Sequence, residues 1–197
     1  MFRLMICVLI FLYVPYQYVN AQETDGHVLT EYDKLRFLDS LNYYREKSGV
    51  PLLKYSFQED SLAKLRVATI YRHIDSLHNA DVKYDYMEEL HFRFDEDIKS
   101  YDKNNVHRDT VLAWQGECSA HLSRFKTSSD WTMDLFNGWK NSPAHWEMLM
   151  ESKYEYAVLH LYSDTDRYFK FRLGSVASLI LFSKAINKKR LSSSSVD

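Results

Sequence analysis

The spacing of apolar residues predicts three helices in the first half of the chain. The first covers residues 28–47, and Gly49 and Pro51 supply its stop signals. Its apolar stripe consists of Tyr32, Leu35, Leu38 and Leu41, widened by Phe37 and Tyr44. The second ends near residue 79 and carries a stripe with spacings of three and four between Ala63 and Leu77. The third lies in a strongly charged segment, and its stripe consists of Met87, Leu90, Phe94 and Ile98.

Residues 131–150 contain two further helices that meet at a corner. The first has an apolar face formed by Trp131, Leu135 and Trp139. Ser142 and Pro143 then predict a fresh helix start, with Ser at the N-cap and Pro at the first helical position. His145 therefore lies in the first turn of the second helix. A His held between two helices suits a metal ligand or a general base, or it only caps and packs.

The residue pattern of the C-terminal part predicts β-strands. Residues 154–162 and 167–173 are rich in β-branched and aromatic residues, and a polar turn joins them into a β-hairpin. Residues 176–182 are apolar enough for one more strand, and the basic and serine-rich end that follows is typical of a frayed tail.

The N-terminus is typical of a secretory signal peptide. Arg3 supplies a positive charge, residues 4–13 are almost entirely apolar, and Ala21 stands at the cleavage position. The apolar run is too short to span a bilayer comfortably. We expect a secreted or periplasmic protein that has no transmembrane segment after cleavage.

Composition narrows the classes of function. The formal net charge is −2, which gives no electrostatic basis for nucleic-acid binding. The few glycines and prolines indicate a compact, helix-rich domain. Once Cys7 leaves with the signal peptide, Cys118 is the single thiol, so no intramolecular disulfide can form. We expect a free, poorly reactive thiol, which suits a bacterial origin.

Three motifs resemble the CAP superfamily, the SCP-like extracellular domains related to class 1 pathogenesis-related proteins. The segment from Trp139 to His145 resembles the W-x-x-S-P-x-H signature, with Ala144 in place of Gly and Trp146 in place of the following Arg. Residues 41–52 resemble the opening of the domain, an Asn, an Arg three later and then G-[LV]-P-x-L. Residues 116–118 resemble the G-E-N motif, with Cys in place of Asn.

The resemblance covers roughly residues 35–173 and implies an α+β fold. The expected architecture is an α-β-α sandwich, a small antiparallel sheet flanked by helices. We therefore divide the chain into a signal peptide (1–21), one CAP domain (22–184) and a polar tail (185–197). The helical segment at about 80–110 is an insertion relative to the family.

The resemblance also implies a cleft with two His and two Glu. Three residues of this chain correspond to these positions: His78, Glu117 and His145. His107 is a rival for the first His, and His121 is a substitute ligand. The second Glu has no clear counterpart, although Asp134 and Glu147 are nearby candidates.

Two imidazoles and a carboxylate are suitable ligands for zinc or a similar divalent ion, with a fourth position left for water. Three hypotheses follow, and no residue is assigned a catalytic role. The first is an exported binding module that holds a metal ion and a small or extended ligand such as a lipid, peptide or glycan. The second is a metal-assisted, peptidase-like hydrolase of the cell envelope. The third is a degenerate scaffold that acts as an interaction module.

Overall fold

The computed structural model describes residues 29–105, 110–122, 131–163 and 175–186. The predicted signal peptide, most of the predicted tail, the second strand of the predicted hairpin (167–173) and His107 lie outside this part of the chain. Within the described ranges, no helix is both long and apolar enough to cross a membrane.

Helices precede and surround a four-stranded sheet. The helices are α1 (Glu31–Lys47), α2 (Asp60–Asn79), α3 (Tyr86–Glu89), α4 (Phe94–Asn104), α5 (Trp131–Lys140) and α6 (Pro143–Leu149), with a 3₁₀ turn at Phe57–Glu59 before α2. The strands are β1 (Lys54–Tyr55), β2 (Thr110–Leu122), β3 (Tyr156–Ser163) and β4 (Ser175–Ile186).

The sheet has the order β1-β3-β4-β2. Strand β4 pairs antiparallel with both β2 and β3, whereas the two-residue β1 pairs parallel with β3. One apolar core lies between the sheet and helices α1, α5 and α6, and two further clusters lie between the opposite face and helices α2 and α4. This arrangement confirms the predicted α+β sandwich, and its one departure from the antiparallel expectation is β1.

Helix α1 buries only part of the predicted stripe. Phe37, Leu38 and Leu41 are buried as predicted, whereas Tyr32 and Leu35 are exposed. The apolar pattern missed two further buried residues, Lys34 and Arg45, because they are cations that find internal partners. The Lys34 ammonium contacts both carboxylate oxygens of Asp60 at 2.7 and 2.8 Å.

Arg45, from the opening motif, is a structural residue. Its guanidinium is completely buried and donates to the carbonyls of Pro51 (2.7 Å), Leu149 (2.6 Å) and Glu151 (3.1 Å). It therefore fastens the end of α6 to the turn after α1. Charged donors suit this task because a hydrogen bond with an ionised partner is stronger than a neutral one.

The predicted third helix is wrong in one respect, because the segment forms two helices. α3 ends at Glu89 and α4 begins at Phe94, and Arg93 between them has a left-handed backbone with a φ of 55°. Because the apolar spacing continues across the break, periodicity alone does not reveal it.

The last predicted strand is a central strand of the sheet. Strand β3 pairs directly with β4, beginning at the Ser163–Ser175 pair, so the last predicted strand (176–182) is its antiparallel neighbour. Strand β4 extends further than predicted and reaches Ile186.

Candidate functional site

The G-E motif lies on β2, where neighbouring side chains point to opposite faces of the sheet. A Cβ on Gly116 would collide with the Tyr154 hydroxyl and lie 3.0 Å from the Met148 sulfur. The α6 side of the strand therefore requires Gly at this position. Glu117 points to the other face, towards α2.

All four acceptor positions of the Glu117 carboxylate are used. Oε1 accepts from Arg66 Nε and Ser178 Oγ, both at 2.8 Å. Oε2 accepts from Arg66 Nη2 and lies 3.1 Å from His91 Nδ1. The side chain is only 1% exposed. Glu117 is thus a buried carboxylate whose charge is matched by a guanidinium in a two-point contact.

The surroundings keep Glu117 ionised. Burial by itself raises the pKa of this carboxyl, but the hydrogen bonds from His91 and Arg66 and the charge of Arg66 outweigh burial and lower the pKa overall. Since an ionised carboxylate can only accept hydrogen bonds, Nδ1 of His91 must be the donor. The Nε2 atom of a neutral His91 then carries the free lone pair, on a side chain that is half exposed.

His145 lies in the first turn of α6, as the sequence predicts. Ser142 is at the N-cap but makes no side-chain capping bond; its hydroxyl instead shares a 2.9 Å hydrogen bond with His145 Nδ1. Burial lowers the pKa of His145, and repulsion from His91 lowers it further. With its pKa lowered, His145 is neutral at neutral pH.

A shallow cavity of about 340 Å³ opens beside His91. Its lining consists of His91, Arg93, Phe94, Asp95 and Glu96. Arg93 and Glu96 form an exposed ion pair at its rim. The cavity runs along the first turn of α4.

The structure places the residues predicted from the sequence as follows. His78 is half-buried in the last turn of α2, and the groups hydrogen-bonded to Glu117 do not include it. His121 lies on β2 opposite Val176, and its side chain is outside the described part, as is all of His107.

The two candidates for the second acid lie on helices α5 and α6. Asp134 is half-buried in the first turn of α5, and Glu147 is exposed on α6. The role of either one in the cleft stays a prediction.

Two residues that the sequence did not single out complete the site. His91 was missed because it lies between α3 and α4, where the continuous apolar stripe concealed the break. Arg66 carried a recognisable signal, because it lies on the buried face of α2 between Ala63 and Val67. A charged residue in the middle of a buried stripe indicates a buried partner.

A divalent ion fits only part of the predicted ligand set. Glu117 would have to exchange Arg66, Ser178 or His91 for the ion, beside a guanidinium charge that repels it. The Nε2 atoms of His91 and His145 make no hydrogen bond with another described residue, and imidazole is a good ligand for zinc. Across the described ranges, no group of three or more His, Cys, Asp or Glu is arranged to hold a metal ion.

Cys118 is a free, buried thiol, as predicted. Burial, together with the negative charge of Glu117, raises its pKa to about 12. The thiolate that a nucleophile or a metal ligand requires is therefore scarce at neutral pH.

The sequence matches the model of a known protein family. A model of the cysteine-rich secretory protein family, CAP, matches residues 38–171. A search of curated proteins found no match.

Among solved structures, the chain is similar to an outer surface protein from Borrelia burgdorferi, at 16% identity over 81% of this chain and 99% of that one, with a TM-score of 0.47. It is also similar to a cysteine-rich secretory protein from Staphylococcus aureus, at 17% identity and a TM-score of 0.42. An SCP-domain extracellular protein from Bacillus anthracis is similar at 15% identity and a TM-score of 0.44. In both of the last two cases the alignment covers 77% of this chain, but only 38% and 40% of the respective relatives.

Proposed function

Because the chain belongs to the cysteine-rich secretory protein (CAP) family, we propose that it is an exported CAP domain that binds a ligand in the cleft between His91 and His145 without turning it over. Export is supported by the charge, apolar run and small residue at the N-terminus. The binding role is supported by the hydrogen bonding of Glu117.

If the protein were a hydrolase, Glu117 would be its general base, but the contacts of Glu117 argue against that role. A general base has to accept a proton near the working pH, so it needs a free lone pair and a pKa near neutrality. Both oxygens of Glu117 are already hydrogen-bonded twice, and the pKa of its carboxyl is lowered. The side chain is held in one ionisation state and one position.

The same contacts favour an orienting role. A carboxylate that accepts from one ring nitrogen of a His fixes the tautomer and directs the other nitrogen outward, an arrangement common around metal-binding His. Glu117 acts on His91 in this way, and Ser142 contacts the corresponding nitrogen of His145. His91 and His145 would therefore hold a divalent ion such as zinc through Nε2. When bound, this ion would offer a Lewis-acidic position to an oxygen atom of a small or extended ligand.

Zinc titration by calorimetry tests the proposal on protein purified without a nickel step. His91→Ala and His145→Ala should each abolish binding, because two imidazoles are the only ligands in this account. His78→Ala is the matched control and should bind like the wild type. Melting temperatures without metal show whether each variant is folded.

Two results would overturn the proposal: a folded wild type that takes up no zinc, or a loss of binding in His78→Ala equal to that in His91→Ala. The hydrolase alternative has its own readout. A peptide pool incubated with the zinc-loaded protein should remain intact, and turnover that depends on Glu117 would establish the enzyme instead.

A further inference from the structure

Arg66 connects three parts of the chain beneath the cleft. It lies on α2, is completely buried, and contacts Glu117 on β2, Asp97 on α4 and the backbone between α3 and α4. Helix α4 and the turn before it lie within the segment of about 80–110 that the sequence predicts to be an insertion. This side chain joins that segment to Glu117.

Every N–H of this guanidinium has an acceptor. Nε and Nη2 donate to the two carboxylate oxygens of Glu117. Nη1 donates to Asp97 Oδ2 at 2.7 Å and to the carbonyl of Phe92 at 2.8 Å, and Nη2 also donates to the carbonyl of Leu90 at 3.3 Å. Arginine has five such donors in a fixed planar geometry, whereas lysine has three on a single atom. Lysine therefore cannot make the same set of contacts.

The two backbone acceptors flank His91 directly. Local signals do not favour a helix break here, because the apolar spacing continues and Arg93 adopts a left-handed backbone that is uncommon for a side chain of this size. The carbonyls of Leu90 and Phe92 are turned towards Arg66, which compensates for that conformation. Arg66, on another helix, thus holds two carbonyls of the break between α3 and α4.

We propose that Arg66 is the positioning residue of the cleft: it holds the turn at residues 90–93 against β2, so that His91 Nδ1 meets Glu117 and Nε2 faces solvent. The inserted segment is then a working part of the site, since it delivers one of the two imidazoles. Asp97 assists by fixing the far side of the guanidinium. The ligand-binding consequence rests on the function proposed above, but the positioning itself does not.

NMR of the imidazole nitrogens tests this proposal without any metal, because it shows which ring nitrogen of His91 carries the proton. In the wild type, neutral His91 should be protonated on Nδ1. Arg66→Lys should shift His91 towards the Nε2-protonated form because the turn and the carboxylate are released, while the His145 signals should stay unchanged. A folded Arg66→Lys protein with an unaltered His91 tautomer would refute the proposal.

Since Arg66→Lys can fail to fold, Asp97→Ala provides a second test. Hydrogen exchange is measured at the amides of Phe92 and Phe94, which donate to the carbonyls of Glu89 and His91. Loss of the charged contact should speed exchange about tenfold. Glu96→Ala is the matched control on the same helix, because its exposed pair with Arg93 contributes little. Equal exchange in the two variants would overturn the proposal.

Zinc affinity separates this inference from the proposed function. Arg66→Lys should weaken zinc binding about 10- to 100-fold, as expected when the group that orients a metal ligand is disturbed. If the wild type binds no zinc but the tautomer and exchange respond as described, the proposed function fails and the role of Arg66 stands. If zinc binds but neither the His91 tautomer nor the amide exchange responds, the proposed function stands and the role assigned to Arg66 fails.

Discussion

Glu117 and His160 are two polar side chains on the same buried face of the sheet, with very different surroundings. Their common face follows from the pairing of Glu117 and Val158 with Ile180, since His160 lies two positions after Val158. Glu117 has four hydrogen bonds, whereas His160 Nδ1 has no partner in the described part of the chain. Burial of a polar atom without a partner destabilises the folded state.

His160 should make the protein sensitive to acid. Burial is the main cause that lowers its pKa from 6.5 to about 4; the charges of Lys34 and Lys64 act in the same direction, and Asp60 opposes them. Because the unfolded chain takes up this proton at a higher pH than the folded chain, stability decreases as the pH falls from 6.5 towards 4. The contribution to the free energy of unfolding is about 3 kcal/mol at most.

Urea denaturation at pH 7 and pH 4.5 measures this effect. His160→Phe, which retains the ring volume, should lose less stability between the two pH values than the wild type does. His145 also has a lowered pKa and contributes with the same sign in both proteins. Identical losses in the two proteins would show that His160 does not titrate as described.

Cys118 should be unreactive in the native protein. It is fully buried and the pKa of its thiol is raised to about 12, so both access and thiolate are lacking. Thiol titration of the mature protein should find no rapidly reacting group under native conditions and a single one after denaturation. Rapid labelling of the native form would show that Cys118 is not buried as described.

Helix α5 is the element whose register the sequence predicted best. Leu135 and Trp139 are buried as expected, Trp139 packs edge-on against Phe37 with ring centres 5.6 Å apart, and its indole donates to the carbonyl of Ser119. Large aromatic anchors made this face easy to recognise.

Trp139→Ala should therefore destabilise the fold by about 3–5 kcal/mol, since it removes a large aromatic side chain from a packed core. Asn137→Ala, an exposed position on the same helix, is the control and should change stability by less than about 0.5 kcal/mol. Chemical denaturation of both variants is the measurement. Similar shifts for both would mean that the register of α5 is misassigned.

Other elements show where sequence patterns stop being informative. The apolar stripe of α1 was only partly right, because Lys34 and Arg45 occupy inward positions through long-range contacts with Asp60 and with the backbone near Leu149. The break between α3 and α4 was not visible in the sequence, and its carbonyls contact Arg66 on another helix. Periodicity reports the local path of the chain, but it does not report a cation whose partners are distant in sequence.

For the whole molecule, the motifs predicted the α+β sandwich, which the structure confirms, and the cleft positions of Glu117 and His145, which stay a prediction. They could not identify His91, because its position depends on how residues 80–105 fold back onto α2 and β2. The motif Glu is hydrogen-bonded to Arg66, Ser178 and His91. In this account it directs an imidazole, and the two imidazoles form the binding surface.

The most direct test of this account is zinc titration of the wild type monitored at the imidazole nitrogens of all His residues. We predict that the Nε2 signals of His91 and His145 shift together with one stoichiometry, while His91 Nδ1 keeps its proton against Glu117. A shift at His78, or loss of the His91 Nδ1 proton on zinc binding, would contradict the account.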